Sequence, residues 1–258
     1  MLDADELLKT GAYKQPYQQE KDYIEELFLE RLFGCCNSLV FKGGTALSKF
    51  YGSPRFSDDL DFASKAQNEM EAIESKIDNM LDELHNEVPA KLLRKIDTNK
   101  MLKYELSIRG PLFITTSKYQ HLKIEIGKKE SVVEPVNVAR RNPVYKDLHP
   151  YLALVMSESE ILAEKVVALL YRRNIKARDL YDIYFMASKG TELRLGLVDV
   201  KMKEWGHVFT EERFSKRVEE IGSIWDKELL RLLQKDAFVS YAKAKSAVIE
   251  YFKNAGLI

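Results

Sequence analysis

Cysteine is nearly absent from this chain: 258 residues contain two, Cys35 and Cys36, side by side. Adjacent cysteines cannot close an ordinary bridge, and two thiols make neither a disulfide framework nor a zinc site. Long apolar runs are missing as well; none approaches the roughly 18 residues that a membrane-spanning helix needs. The start, M-L-D-A-D-E-L-L-K-T, is acidic and has no apolar core, so no signal peptide is expected. A reducing cytoplasm is the compartment that fits. Net charge is absent: 40 Lys and Arg balance 40 Asp and Glu. That excludes steering of a polyanion by the whole protein and leaves such binding to a local patch. No internal repeat or low-complexity segment interrupts the chain. What remains is a soluble globular composition, 45% apolar and 31% charged, at a length that suits one or two domains with a proper core.

The informative stretch runs from Phe41 to Phe62, F-K-G-G-T-A-L-S-K-F-Y-G-S-P-R-F-S-D-D-L-D-F. Residues 38–41 read as a buried strand. Gly43 and Gly44 let backbone approach a ligand closely. Thr45 is a suitable N-cap, Leu47, Phe50 and Tyr51 share one helix face, and Gly52 stops the helix. A helix N-terminus after glycines can receive an anion. Asp59 and Asp61 then point to one side of a strand, with Leu60 and Phe62 on the other. Such side chains stand roughly 7 Å apart at the backbone. Carboxylates can lean inward from there toward divalent ions, whose pairs in phosphoryl-transfer sites sit about 3.5–4 Å apart. Gly-Gly-Thr alone is more often a turn, and D-x-D alone is common; strand, G-G-T, helix and D-x-D strand in succession is far more specific.

Gly44-Thr45, thirteen residues, then Asp59-x-Asp61 resembles the signature of the polymerase-β-like nucleotidyltransferases. The fuller strings G-G-T-A-L and R-F-S-D-D-L-D-F, with E-I-L-A-E-K-V-V-A-L-L-Y-R-R and A-R-D-L-Y-D-I-Y further on, resemble the AbiEii/AbiGii toxin family of abortive-infection and toxin–antitoxin systems. Thr45 stands where the wider superfamily usually has Ser and keeps the hydroxyl. The resemblance implies an α+β fold, with a mixed-sheet nucleotidyltransferase domain over 1–155 and a helical domain over 156–258 closing the active-site cleft. It implies nucleotidyl transfer from an NTP to an acceptor hydroxyl, with RNA as the expected acceptor and tRNA the first choice. Mg2+ or Mn2+ would be the cofactor, and a cognate antitoxin would be encoded nearby. Transfer to a protein side chain and a non-catalytic nucleotide-binding module remain as alternative readings. Retention of both D-x-D acids and Lys165 argues against the second.

Away from that stretch, residues 16–34 predict an amphipathic helix and Gln67–Asn86 a charged one. Residues 104–108, 112–116 and 122–126 read as strands. In the last, Lys123 and Glu125 face one side. An acid there is commonly just solvated, but the resemblance implies a third carboxylate beside the D-x-D strand, and Glu125 matches it. Ser157 and Glu160 predict a capping box opening a helix to about Arg173. Lys165 shares a stripe with Ile161, Ala168 and Arg172. By periodicity alone it is as readily a snorkelling surface lysine; the resemblance makes it the motif's lysine, bound to nucleotide phosphate, with Arg172 on acceptor or base. A second helix is expected over 177–188, where Asp179 and Asp182 share a face and would orient Lys165 or touch the nucleotide. An Arg178–Asp182 ion pair is the plainer reading. Arg140–Arg141 and the basic run 172–178 are the expected contacts for nucleotide or RNA phosphates. Amphipathic helices are expected at about 194–204, 210–221, 223–235 and 236–254. The assignments carried into the structure are Asp59, Asp61 and Glu125 for metal, Gly43, Gly44, Thr45, Lys165 and Arg172 for the nucleotide, and Asp59, Asp61, Glu125, Lys165, Asp179 and Asp182 for catalysis.

Overall fold

The computed structural model describes residues 1–11, 13, 15–65, 67–233 and 235–258. The chain divides into two units. One comprises Met1–Ala46, Asp58–Val132 and Val136–Val155; the other comprises Leu47–Ser57, Val133–Pro135 and Met156–Ile258.

The first unit is built on a sheet. Its elements are α1 (Ala4–Thr10), α2 (Pro16–Cys35), β1 (Leu39–Lys42), the first turn of α3 (Gly43–Tyr51), β2 (Asp59–Ser64), α4 (Met70–Glu87), β3 (Ala90–Asp97), β4 (Met101–Ile108), α5 (Phe113–Thr116), β5 (Gln120–Gly127), β6 (Asn137–Arg141) and β7 (Tyr151–Val155). Among the described residues the seven strands lie in the order β3-β4-β5-β2-β1-β7-β6. The pairings β2–β5 and β1–β7 are parallel and the others antiparallel, so the sheet is mixed. Leu60, Phe62, Leu102, Tyr104, Ile124 and Ile126 are all fully buried, as period-two alternation requires of the core face.

Helix α2 departs from the amphipathic expectation. Its polar side is buried too: Gln19, Glu20, Lys21, Asp22, Glu25 and Glu26 are almost fully covered. Burial without partners would be costly, and the sheet unit supplies them. Glu20 accepts from the Leu112 N–H and from Gln120 Nε2, each at 2.6 Å. Asp22 accepts from the Tyr145 hydroxyl at 2.7 Å, and Glu26 from Tyr151 at 2.8 Å and Arg141 Nη2 at 2.7 Å.

Residues 112–116 are not a strand. Phe113–Thr116 forms the short helix α5. The Gly110-Pro111 turn opens it, the Thr115 and Thr116 hydroxyls fold back onto the Leu112 carbonyl at 2.9 Å, and Ser117 ends it in the left-handed region at φ 53°. Two threonines that bond their own turn no longer favour extension.

The second unit is helical: α6 (Glu158–Tyr171), α7 (Ala177–Ser188), α8 (Leu195–Glu204), α9 (Glu211–Gly222), α10 (Trp225–Leu232) and α11 (Tyr241–Asn254). Phe214, Trp225, Leu229, Val248 and Phe252 fill its core. Ser157 caps α6 by accepting from the Glu160 N–H at 3.1 Å. Glu160 does not return the bond, so the box is half made. Its buried carboxylate instead accepts from the Val133 and Glu134 N–H groups, at 2.9 and 3.0 Å, and pairs with Lys201 at 2.7 Å. Among the described residues no helix is long and apolar enough to cross a membrane.

Candidate active site

The sheet unit gathers charge on the face opposite its core. In the parallel β2–β5 pair Asp59 stands opposite Lys123 and Asp61 opposite Glu125. Across the antiparallel β1–β2 pair Lys42 stands opposite Asp61. On the far side β4 sets Lys103 opposite Glu125 and Glu105 opposite Lys123. Two charged rows therefore cross the strands side by side. The first runs Glu105, Lys123, Asp59, and the second Lys103, Glu125, Asp61, Lys42.

The contacts follow from these registers. Lys103 Nζ lies 2.9 Å from Glu125 and 3.1 Å from Glu105. Burial works against the Lys103 charge, but Glu125 and Glu105 more than offset it and raise its pKa. Lys123 Nζ lies 3.9 Å from Asp59 Oδ1, and Lys42 pairs with Glu130 at 2.6 Å. From α2, the buried Lys21 donates to the His121 carbonyl. Its pKa is lowered by burial, with Glu25, Asp58 and Asp59 pulling the other way.

Gly43 has a specific role. Its φ is +76°, a conformation that L side chains rarely adopt. A Cβ at this position would stand 3.1 Å from Asp61 Cβ and 3.2 Å from Cγ, with Oδ2 closer still. The Asp61 carboxylate lies against bare backbone. Thr45 is not the N-cap, because α3 begins two residues earlier, at Gly43. The Thr45 hydroxyl donates to the Asp59 carbonyl at 2.5 Å and ties the glycine turn to the acid strand. Gly44 is buried beside them.

Asp59, Asp61 and Glu125 are hard oxygen donors at neighbouring positions of one sheet face, and that donor chemistry suits Mg2+ or Mn2+. They do not yet converge: among the described residues no group of three or more His, Cys, Asp or Glu side chains is placed to hold a metal ion. Lys103 occupies Glu125 in this arrangement.

In the helical unit Lys165, Asp182 and Arg55 form one buried cluster. Asp182, fully buried, takes Arg55 Nε at 2.8 Å and Nη2 at 3.0 Å. Lys165 Nζ lies 2.9 Å from Oδ2, the oxygen that also accepts from Arg55 Nη2. Burial pushes the Asp182 pKa up, but Arg55 and Lys165 overcome this and hold it at about 2. Asp182 thus pairs with Lys165 and Arg55 instead of Arg178. Asp179, also buried, lies 2.9 Å from Arg172 Nε. Among the described residues no N–H is aimed at its oxygens, so that contact is ionic rather than a hydrogen bond. The structure brings together Asp59, Asp61 and Glu125 with Gly43 and Thr45, and separately Lys165 with Asp182 and Arg172 with Asp179. Sequence reasoning gave no site role to Lys103, Lys123 or Arg55, although it set Lys123 on one strand face with Glu125. The first two became visible only through cross-strand register. Arg55 stood inside the R-F-S-D-D-L-D-F string without an assigned part. Of the expected basic spots, Arg141 is held by Glu26 and Arg172 by Asp179.

Comparison with known proteins places the chain. A family model described as nucleotidyl transferase AbiEii toxin, type IV toxin–antitoxin system, matches residues 27–244. A chain from H. pylori designated a nucleotidyltransferase superposes with a TM-score of 0.55 at 20% identity, over 93% of this chain and 97% of that one. JHP933 from Helicobacter pylori superposes with a TM-score of 0.54 at 21% identity, over 92% and 94%. At these identities the two structures speak for the fold. No curated protein matches the sequence.

Proposed function

The chain belongs to the AbiEii nucleotidyltransferase toxin family of type IV toxin–antitoxin systems, and from that premise we propose that it moves a nucleotide from an NTP to a hydroxyl of RNA, with tRNA the first choice. The observation that carries this reading is the placement of Asp61 opposite Glu125, beside Asp59, with its carboxylate against Gly43. The acceptor oxygen would form a bond to the α-phosphorus while the bond to the bridging oxygen breaks, releasing pyrophosphate. Asp59, Asp61 and Glu125 would hold Mg2+ or Mn2+. When bound, the metal would promote ionisation of the attacking hydroxyl and offset charge on the phosphates. Glu125 reaches that state by exchanging its Lys103 contact. Gly43, Gly44 and Thr45 fix the acid strand against the α3 N-terminus, whose N–H groups favour an anion.

In the helical unit we assign Lys165 to a nucleotide phosphate. Asp182 orients it, and Arg55 already matches the Asp182 charge, so the three groups together carry one net positive charge. Arg172 is assigned to acceptor or base and Asp179 to its support. A cognate antitoxin encoded nearby, expected from the family, would restrain the activity. Incubating the protein with each α-labelled NTP, Mg2+ and total RNA tests the reading. Label on RNA is the expected result, label on protein would favour modification of a side chain, and no label on either would leave a nucleotide-binding module.

A further inference from the structure

The charged rows do not stop at β4. In the β3–β4 pair Arg94 stands opposite Glu105 and Lys91 opposite Ser107, with a bulge between Leu92 and Arg94. Arg94 therefore extends the row Glu105, Lys123, Asp59 on the same face, and Lys91 lies one step along. Lys91, Arg94 and Lys123 are all exposed. Among the described residues neither Lys91 nor Arg94 forms an ion pair, and Lys123 forms a long one, 3.9 Å, with Asp59. Lys103, by contrast, is engaged by two glutamates. Lys91 and Arg94 on β3 and Lys123 on β5 thus flank β4, with Glu105 opposite both Arg94 and Lys123.

An aromatic group stands where this strip ends. The connection between β4 and β5 carries Tyr119, half exposed, against Phe113 at 4.6 Å between ring centroids, with the Arg109 guanidinium 4.5 Å from the Phe113 ring. It lies beyond Ile108 and before Gln120, the strand end that also carries Ser107 and Lys91. Spaced cations that track a backbone, next to an exposed aromatic that can stack a base, are the two ingredients of single-stranded nucleic-acid binding.

We infer that the β3–β4–β5 face is the acceptor track: Lys91, Arg94 and Lys123 hold successive RNA phosphates, and Tyr119 stacks a base at the far end. This rests on the reading of RNA as acceptor and adds where it binds. The complementarity is to a polyanion wider than a triphosphate, because the cations sit on β3 and β5, two strand spacings or about 10 Å apart across β4. Such a track also fits a neutral chain, since it needs only a local excess of charge.

The test measures binding of a short unstructured RNA oligonucleotide to the full chain, by fluorescence anisotropy across a salt series. Each phosphate contact to a single strand contributes about 0.7 to the slope of log affinity against log salt. The triple variant Lys91→Gln/Arg94→Gln/Lys123→Gln is expected to flatten that slope by about 2, and Arg94→Gln alone by about 0.7. Tyr119→Ala is expected to weaken binding about fivefold or more, as stacking contacts do, with the slope unchanged. RNA binding by the wild type with no change in the variants would overturn the track and leave the acceptor reading standing. No RNA binding by the wild type would overturn both. Lost affinity for free ATP, with RNA binding intact, would reassign the cations to the nucleotide and overturn the track.

Discussion

The carboxylate of Asp61 fills the space that a Cβ of residue 43 would occupy. Gly43 and Asp61 are eighteen positions apart, yet the acid strand can lie in its observed place only while residue 43 has no side chain. Its φ of +76° adds a second requirement for glycine.

Gly43→Ala is therefore expected to cost about 1–3 kcal/mol through backbone strain and to displace Asp61. Urea unfolding should report the loss, and nucleotidyl transfer should fall by more than the lost stability explains. A variant with wild-type stability and turnover would mean that the Gly43–Asp61 contact is incidental.

Asp61→Asn is expected to act in the opposite sense on stability. Asp59, Asp61 and Glu125 set like charges at neighbouring positions of one face, and neutralising one relieves repulsion that outweighs the attraction of Lys42 opposite Asp61. The melting temperature should hold or rise, while transfer falls by about three orders of magnitude, the scale of several kcal/mol of lost charge stabilisation. Glu125→Gln keeps the shape and leaves Lys103 paired with Glu105 alone. It should raise the Mg2+ concentration needed for half-maximal turnover with little effect on folding. Normal turnover at limiting Mg2+ would return Glu125 to an ordinary sheet acid.

Several of these relations were legible in the sequence and others were not. The D-x-D strand and the glycine turn are local, so spacing alone placed Asp59 and Asp61 on one strand face. Helix α7 (Ala177–Ser188) begins and ends where periodicity set it. Strand β3 was invisible because it is an exposed edge strand; with neither face fully covered, it carries no alternation of apolar and polar residues. Residues 112–116 have strand composition, but Gly110-Pro111 and two back-bonding threonines decide for a helix. Lys103 and Lys123 are ordinary alternating cations until strand pairing places them beside the acids. Arg140–Arg141 and Arg172 looked like phosphate contacts because sequence shows runs of charge but not their partners. Arg141 answers to the buried Glu26 from α2, more than a hundred residues away.

The Arg55–Asp182–Lys165 cluster makes stability depend on acid. The folded pKa of Asp182 is held at about 2, below the ordinary value of about 3.9. Its contribution is thus complete above about pH 4 and lost as pH falls toward 2, on the order of 2 kcal/mol. Asp182→Asn leaves two cations facing a neutral amide and should cost about 3–5 kcal/mol at neutral pH. It should also remove this part of the acid dependence. Lys165→Met leaves Arg55 to match Asp182, so it should cost less stability yet weaken NTP binding about 30-fold or more. Urea midpoints between pH 5 and pH 2.5, with NTP titrations at neutral pH, check these outcomes. Equal NTP affinity in Lys165→Met and wild type would confine Lys165 to holding the helices together.

The most direct measurement is pyrophosphate release by the purified protein with each NTP, Mg2+ and total RNA, run beside Asp61→Asn. The proposed function predicts release that depends on RNA, is selective for at least one nucleotide, and is absent in Asp61→Asn. Release that is equal in the two proteins, or absent in both with every nucleotide, would contradict the assignment of this sheet face as the nucleotidyl-transfer site.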